Sequence, residues 1–356
     1  MKARIHENVA LAPLTTLGIG GPARYFADAP DENTVIDAIH FAKENKLPMF
    51  VLGGGSNLLV ADRGFPGLVL KIGLTGIGWD TQGDRAVVRA GAGEEWDRLV
   101  QLCVKRDLAG IECLSGIPGS VGGTPVQNVG AYGQEVSEVL TSVRAYDRAT
   151  DSIVELSRSD CKFTYRRSLF NTVANNRYVV LNVSYSFSKH GAPTIRYPEV
   201  QKEFEGRPEP ALMDVRNAVR RIRARKAMLL VEGDPDCRSA GSFFKNPIIS
   251  EAEFALLENV LPNERVPRYP AAKGKVKTAA AWLIERAGFS KGYSLGPVGL
   301  STKHTLALVN KGGATAEDLL RLAREIRSRV HEQFGIKLIP EPVFLGFDSK
   351  VTAEFF

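Results

Sequence analysis

The chain has 356 residues, of which 44% are hydrophobic and 24% are charged, so it can form two or three globular domains with a sizeable core. Its net charge of +6 suits anionic ligands such as phosphates and does not require a nucleic acid. No apolar run reaches the length of a bilayer and no signal sequence opens the chain. This excludes an integral membrane protein and predicts a cytoplasmic one without membrane insertion.

The first predicted unit spans residues 1–75 and has an α/β pattern. A helix is expected over about 31–45, because Asp31 and Glu32 suit its N-terminus and apolar residues recur along one face. The short apolar run 49–52 predicts a strand after this helix.

A glycine cluster, Gly53-Gly-Gly-Ser-Asn57, separates the strand at 49–52 from a second apolar run at 58–60. The chain returns to strand after this cluster, whereas a Rossmann dinucleotide fingerprint opens a helix, so a Rossmann fold is excluded. The cluster taken alone leaves two interpretations open. It can be a turn that binds phosphate, or it can be a tight hairpin turn.

The second predicted unit spans residues 76–228 and is rich in strands. It contains a helix near 94–106, and the runs 142–147 and 177–187 alternate as strands do. The glycine-rich run Gly116-Ile-Pro-Gly-Ser-Val-Gly-Gly123 indicates main chain that approaches a flat or phosphorylated ligand through its N–H groups. Two glycine clusters in one chain favour a large anionic ligand.

A basic helix is predicted at the end of this unit, over about 213–228. Its cationic residues are Arg216, Arg220, Arg221, Arg223, Arg225 and Lys226. We interpret this helix as a solvated face that bridges two domains rather than as a nucleic-acid site, because charge runs are usually solvated and no aromatic residues interleave with the arginines.

The third predicted unit spans residues 229–335. Helices are expected at about 251–258, 277–288 and 315–333, and a strand is expected over 305–309. None of the four cysteines of the chain forms a C-x-x-C pair, and no His, Cys or carboxylate cluster has metal-ligand spacing. We therefore predict reduced thiols and no metal.

Eight different short motifs occur one after another along nearly the whole chain. They are Leu17–Ala23, Gly53–Leu59, Gly116–Gly123, Asn128–Gly133, Tyr165–Phe170, Ala240–Pro247, Ala281–Glu285 and Pro340–Pro342. Together they resemble the UDP-N-acetylenolpyruvoylglucosamine reductase family, the flavoenzymes of peptidoglycan precursor synthesis, in its subclass with a long tyrosine loop.

The resemblance implies an α+β fold. FAD-binding subdomains of the vanillyl-alcohol oxidase/p-cresol methylhydroxylase type would occupy 1–75 and 76–228, and a smaller α/β substrate-binding domain would occupy 229–335. The C-terminal segment, 336–356, would return to the FAD-binding region.

The resemblance also implies a function. The protein would reduce UDP-N-acetylglucosamine enolpyruvate to UDP-N-acetylmuramate, with FAD as cofactor and NADPH as hydride donor. Its partner would be the UDP-sugar enolpyruvyl ether, no nucleic acid would bind, and the protein would be a monomer. The alternative is another FAD-dependent oxidoreductase or oxidase on the same scaffold.

Three catalytic roles carry over by the same resemblance. Arg166 would stabilise the negative charge that develops on the substrate carboxylate, because a guanidinium is permanently charged and can bind a carboxylate through two hydrogen bonds. Glu341 would polarise the enolpyruvyl group, and Ser242 would donate a proton to its C2 atom.

The remaining site residues are also expected from the resemblance. The FAD-binding residues would be Gly53, Gly54, Gly55, Ser56, Asn57, Ile117, Pro118, Gly119, Ser120, Gly122 and Gly123. The substrate-binding residues would be Tyr197, Lys226, Asn246 and His304. Tyr197 would fold over the diphosphate, and His304 stands where some relatives carry glutamine.

Overall fold

A computed structural model of the protein describes residues 3–356 and divides into two compact units. The first unit comprises the described residues up to Val9 together with Ala23–Gly55 and Phe65–Arg225. The second unit comprises Ala10–Pro22, Ser56–Gly64 and Lys226–Phe356. The domain boundaries expected at residues 75, 228 and 335 stay predictions.

The strands are short, and most of them belong to small sheets. In chain order they are β1 (His6–Ala10), β2 (Pro22–Ala29), β3 (Met49–Leu52), β4 (Leu58–Val60), β5 (Phe65–Ile72), β6 (Ile77–Gln82), β7 (Arg85–Gly91), β8 (Leu108–Ala109), β9 (Gly130–Ala131), β10 (Gln134–Glu135), β11 (Leu140–Asp147), β12 (Ser152–Ser157), β13 (Tyr178–Lys189), β14 (Ile248–Ser250), β15 (Tyr269–Pro270), β16 (Lys275–Lys277), β17 (Ser294–Leu295), β18 (Val298–Leu300), β19 (Leu308–Asn310) and β20 (Val343–Leu345).

The α-helices vary from one turn to five. In chain order they are α1 (Glu32–Glu44), α2 (Trp96–Lys105), α3 (Pro198–Glu203), α4 (Leu212–Arg225), α5 (Glu251–Val260), α6 (Ala280–Arg286), α7 (Ala316–Phe334) and α8 (Ser349–Phe355). Within residues 3–356, no α-helix has both the length and the apolar character needed to cross a bilayer.

The first unit contains a four-stranded sheet in the order β1-β2-β5-β3, in which β5 runs parallel to both β2 and β3. Helix α1 follows β2, and the Asp31 carboxylate caps it by accepting the Thr34 N–H at 2.8 Å. The helix buries Val35, Ile39 and Ala42 in the hydrophobic core of this unit. The helix and the strand predicted for this region are confirmed.

A second sheet in the same unit has the order β12-β11-β13-β7-β6, and its neighbouring strands are antiparallel. Helix α2 buries one apolar face, including Trp96, Leu99 and Cys103, in the same hydrophobic core as the sheet. The strands expected at 142–147 and 177–187 are confirmed as β11 and β13, each slightly longer than predicted.

The second unit is built from small sheets and the helices α5, α6 and α7 around one hydrophobic core. Helix α7 begins with a capping box between Thr315 and Asp318, and it ends at Gly335 in the left-handed conformation, with φ of +68°. The strand expected at 305–309 is wrong in its first half. There, the Ala307 N–H bonds to the His304 carbonyl in a turn, and only β19 continues as strand.

Candidate functional site

The two glycine clusters of the sequence contact each other in the first unit. A Cβ atom added to Gly54 would lie 2.6 Å from the Cα atom of Gly119, and one added to Gly53 would lie 2.5 Å from the Ser120 hydroxyl oxygen. The Gly119 Cα atom is backbone and cannot move aside, so the close approach of these two segments requires glycine at position 54, whereas the Ser120 hydroxyl near Gly53 can rotate.

The hairpin interpretation of the first glycine cluster is wrong. Strand β3 pairs with β5, whereas β4 pairs in parallel with β20, so the strands on the two sides of the cluster belong to different sheets. The cluster is therefore not a local turn within one sheet. It is the point at which the chain passes from the first unit, which includes Gly55, to the second unit, which includes Ser56.

The contact between the clusters leaves main-chain donors without protein acceptors. Within residues 3–356, the N–H groups of Gly54, Gly55 and Ser120 make no hydrogen bond to the protein, although Gly55 and Ser120 are buried. Gly55 has φ of +62° and Gly119 has φ of +126°, both outside the range that other residues adopt easily. Main-chain N–H groups that lack protein acceptors in a glycine-rich turn are typical of an anion-binding site, and they fit the pyrophosphate of a dinucleotide.

The later part of the glycine-rich run packs against protein instead. The Gly122 N–H donates to the Ala92 carbonyl at 2.8 Å, and the Gly123 N–H donates to the Ser120 carbonyl at 3.0 Å. A Cβ on Gly122 would lie 2.6 Å from the Cβ of Ala92. Gly122 and Gly123 can therefore offer a ligand only surface or carbonyl oxygen, and not the N–H donors that the sequence suggested.

Two further predicted cofactor residues, Ile117 and Pro118, lie between Gly116 and Gly119. Both are half-buried, and Ile117 packs against the core of the first unit. A proline restricts its own φ and the conformation of the residue before it, so this segment is stiff.

Arg166 lies at the tip of a two-residue turn closed by paired main-chain hydrogen bonds between Thr164 and Arg167. Its φ of +56° is unusual for a residue with a side chain, and such strain is often found at functional sites. Its guanidinium donates to the Gly130 carbonyl at 2.6 Å. A Cβ on Gly130 would lie 2.8 Å from Glu135 Cγ, 3.0 Å from the Gln134 carbonyl oxygen and 3.1 Å from the Arg166 Nη1 atom, so this crowded position favours glycine.

The Asn128–Gly133 motif supports this turn. The buried Asn128 amide donates to the Thr164 carbonyl at 3.2 Å, and the Asn171 amide donates to the Arg166 carbonyl at 3.2 Å. Two sequence motifs that are separated along the chain thus form one local structure around Arg166.

Tyr197 packs edge-on against Tyr132 of the same motif, with ring centroids 5.4 Å apart. Burial raises the pKa of Tyr132 to about 12, so this phenol stays neutral. Upstream of Tyr197, the Thr194 N–H donates at 2.7 Å to the fully buried carboxylate of Glu112. Sequence reasoning missed Tyr132 and Glu112, because no local pattern marks them as partners of the tyrosine segment.

In the second unit, the main chain brings Ser242 and Glu341 into neighbouring segments. The Glu341 N–H donates to the Phe243 carbonyl at 2.8 Å, and the Phe243 N–H donates to the Leu306 carbonyl at 2.8 Å. The segment that carries Ser242 therefore lies between the segments that carry Leu306 and Glu341. Both Ser242 and Glu341 are half-buried.

Asn57 holds the Pro-Glu-Pro segment in the same unit. Its amide nitrogen donates to the Glu341 carbonyl at 3.3 Å, and its main-chain carbonyl accepts the Val343 N–H at 3.0 Å. Ser56, the residue before it, is half-buried. An asparagine expected from the resemblance to bind the cofactor thus also positions an expected catalytic segment.

His304 lies in the turn before Leu306. Its Nδ1 atom accepts the Leu306 N–H at 3.1 Å, so the neutral imidazole carries its hydrogen on Nε2. The buried Asp236 holds the residues just before this turn. Its carboxylate accepts hydrogen bonds from the main-chain N–H of Thr302 at 3.1 Å and from the Ser301 hydroxyl at 3.0 Å. Asp236 has no sequence signal that would link it to His304.

The two other expected substrate residues have different surroundings. The Asn246 side-chain oxygen accepts the Ala280 N–H at 3.0 Å, which caps the first turn of α6. Lys226 is half-buried and follows directly after the last residue of α4.

The basic helix α4 is solvated only in part. Arg216 and Arg220 form ion pairs with Asp97 at 2.6 and 2.5 Å, and Arg221 and Arg225 pair with Glu203 at 3.3 and 2.6 Å. The interpretation as a solvated face is therefore wrong for the buried Arg216 and holds for Arg221 and Arg225, which stay exposed although they are paired; the bridging of two domains stays a prediction. Among residues 3–356, no group of three or more His, Cys, Asp or Glu side chains is arranged to hold a metal ion.

Comparison with known protein families adds two matches. The model described as "UDP-N-acetylenolpyruvoylglucosamine reductase, C-terminal domain" matches residues 234–345. The model described as "FAD binding domain" matches residues 23–157.

Relatives and a solved structure resemble the chain over nearly its whole length. UDP-N-acetylenolpyruvoylglucosamine reductase of Thermobifida fusca is 49% identical over 97% of this chain and 99% of the relative. The reductase of that name from Streptomyces coelicolor is 47% identical over 96% of this chain and 90% of the relative. The crystal structure of the Thermus caldophilus reductase matches with a TM-score of 0.67 and 27% identity, over 96% of this chain and 99% of that one.

Proposed function

The chain belongs to the UDP-N-acetylenolpyruvoylglucosamine reductase family, and we propose that Arg166, Ser242 and Glu341 carry out the reaction of this family on its substrate. The protein is an FAD-dependent oxidoreductase, UDP-N-acetylmuramate dehydrogenase, of peptidoglycan precursor synthesis, and NADPH is its hydride donor. The family, the α+β fold with an FAD-binding unit, the activity and the cofactor predicted from the sequence are thereby confirmed.

The residues of the first unit fit FAD. The N–H groups of Gly54, Gly55 and Ser120 lack protein acceptors, and the contact between Gly54 and Gly119 brings them together. These donors would bind the pyrophosphate of FAD. Bound FAD supplies the hydride transfer between NADPH and C3 of the enolpyruvyl group, and the protein supplies placement and charge.

We assign charge stabilisation to Arg166. Reduction at C3 leaves negative charge on C2 and on the substrate carboxylate, and a cation placed beforehand stabilises such charge most effectively. The strained turn and the hydrogen bond to Gly130 hold the guanidinium in one position. Strain at Arg166 is the observation that carries this assignment.

We assign the proton transfer to Ser242 and polarisation of the enolpyruvyl group to Glu341. The main-chain hydrogen bond between Glu341 and Phe243 keeps the two residues in adjoining segments. A serine hydroxyl is a weak acid, so its contribution depends on placement close to C2. The fixed backbone of the Pro-Glu-Pro segment provides comparable placement for Glu341.

Substrate binding is proposed for Tyr197, Lys226, Asn246 and His304. The family acts on a UDP-sugar, whose diphosphate suits a lysine and a tyrosine hydroxyl, and whose sugar suits an amide and an imidazole N–H. The Nε2–H tautomer of His304 makes it a donor. We further propose that the protein is a cytoplasmic monomer, and gel filtration tests the monomer.

The visible spectrum of the purified protein tests the function. We expect a flavin band that NADPH bleaches without oxygen and that UDP-N-acetylglucosamine enolpyruvate then restores. A chain that stays colourless after incubation with FAD would contradict the proposal. Rapid reoxidation by oxygen, with no response to the enolpyruvyl substrate, would instead support an oxidase on the same scaffold.

A further inference from the structure

We propose that Asp97 is a positioning residue for the segment Gly116–Ser120, here called the flavin loop, and that Arg216 and Arg220 of α4 hold its carboxylate in place. The inference rests on the proposed binding of FAD by this loop. It gives the basic helix a role that neither nucleic-acid binding nor a solvated surface explains.

Asp97 links the helix to the loop through both of its carboxylate oxygens. Oδ1 accepts the Gly116 N–H at 2.6 Å and Nη1 of Arg216 at 2.6 Å. Oδ2 accepts Nη2 of Arg216 at 3.0 Å and Nη1 of Arg220 at 2.5 Å. The Arg216 pair is bidentate, which fixes the orientation of the carboxylate as well as its distance.

The network is sheltered from solvent. The Asp97 side chain is 17% exposed and the Arg216 side chain is 6% exposed. Burial by itself would raise the pKa of Asp97, but hydrogen bonds from Arg216 and Gly116 outweigh burial and hold the pKa below its ordinary value. Removing one member of such a buried ion pair leaves the other charge uncompensated, which lowers the stability of the folded state.

The flavin loop is held on both sides of Gly116. The Gly116 N–H bonds to Asp97, and its carbonyl accepts Nε of Arg223 at 3.1 Å. Gly116 has φ of +72°, so the hydrogen bonds stabilise a backbone conformation that the chain would otherwise leave easily. The stiff Ile117-Pro118 segment then connects Gly116 to Gly119 and Ser120, which face Gly54 and Gly53. An anchor at Gly116 therefore sets the position of the Ser120 N–H donor.

Helix α4 also provides a control residue for this proposal, Arg221. Arg220 and Arg221 are neighbours in sequence, but Arg220 pairs with Asp97 whereas Arg221 pairs with Glu203, which within residues 3–356 makes no hydrogen bond or ion pair with the flavin loop. Substituting either arginine by glutamine removes one positive charge and one ion pair from the same helix. Only the change at Arg220 should alter the flavin loop.

The test is FAD binding to the full chain after the flavin has been removed, measured by quenching of flavin fluorescence. We expect Asp97→Asn to raise the Kd for FAD at least about tenfold, because it leaves the buried Arg216 without its carboxylate, and Arg220→Gln to raise it about threefold or more, because Asp97 then keeps only one of its two arginine partners. Arg220→Lys, which keeps the charge, should recover part of the affinity. Arg221→Gln should stay within about twofold of the unchanged chain.

The visible circular dichroism of the bound flavin separates positioning from general stability. At saturating FAD, Asp97→Asn and Arg220→Gln should change this spectrum, whereas Arg221→Gln should leave it unchanged even if the melting temperature falls. Equal affinity and equal spectra for Arg220→Gln and Arg221→Gln would overturn the inference. If Asp97→Asn does not fold, the Arg220 and Arg221 pair still decides. An unchanged chain that binds no FAD would instead overturn the flavin function itself.

Discussion

The two units hold their functional residues by different interactions. In the first unit, the position of the flavin loop depends on residue identity. The Asp97 carboxylate accepts a hydrogen bond from its Gly116 N–H, and the absence of a side chain at Gly54 lets Gly119 of the loop lie close to the first glycine cluster. In the second unit, the segments of Ser242 and Glu341 are joined by main-chain hydrogen bonds.

This difference determines which substitutions should change the reaction without changing the backbone. Main-chain hydrogen bonds do not depend on which side chain a residue carries, so Ser242 can be substituted with little change in backbone position. Close backbone contacts and buried ion pairs do depend on residue identity. Substitution of Ser242 should therefore report on the reaction, and substitution of Gly54 or Asp97 on cofactor binding and stability.

The largest effect is expected at Ser242. Ser242→Ala removes the proposed proton donor, and we expect reduction of the enolpyruvyl substrate to slow by about 10²–10⁴-fold, the usual contribution of a positioned proton donor. FAD affinity and the bleaching of the flavin by NADPH should not change, because the backbone is held independently. Anaerobic rapid-mixing experiments measure the two half-reactions separately. Normal turnover of the substrate by this variant would refute the assignment.

A smaller effect is expected at Gly54. The methyl group of Gly54→Ala would lie 2.6 Å from the Cα of Gly119, so the two clusters must separate. We expect a loss of about 1–3 kcal/mol in the free energy of unfolding, which is typical of overpacking, and weaker FAD binding. Thermal unfolding with and without FAD measures both.

Gly123→Ala is the matched control for Gly54. A Cβ at position 123 would meet its nearest neighbour, the Ser120 hydroxyl, at 3.9 Å, which is an ordinary contact. Equal effects at the two positions would show that close packing of the two clusters is not what the glycine at position 54 provides.

The smallest effect concerns Asn246, which caps α6 and is also proposed to bind substrate. Asn246→Ala should lower stability by about 1 kcal/mol, because the Ala280 N–H loses its acceptor. Asn246→Asp keeps an acceptor at the helix N-terminus but loses the amide donor, so it should keep the melting temperature while KM for the substrate rises. An unchanged KM in the aspartate variant would restrict Asn246 to a structural role.

Patterns along the sequence were sufficient for α1, β3, β11 and β13, and ordered motifs were sufficient for the family. These features are local. Helical and strand periodicity depend on residues close together in sequence, and a motif is a set of residues within one short stretch of the chain. The expected roles of Arg166, Ser242 and Glu341 came from such motifs and stay predictions.

Only the tertiary structure decided which distant segments meet. The contact between Gly54 and Gly119, the pairing of β4 with β20, and the ion pairs that bury Arg216 against Asp97 each join residues far apart in the chain. A charge run such as that of α4 has the same local pattern whether its arginines face solvent or buried carboxylates. The difference depends on long-range packing, because packing determines which acceptor each guanidinium reaches and how much water remains around it.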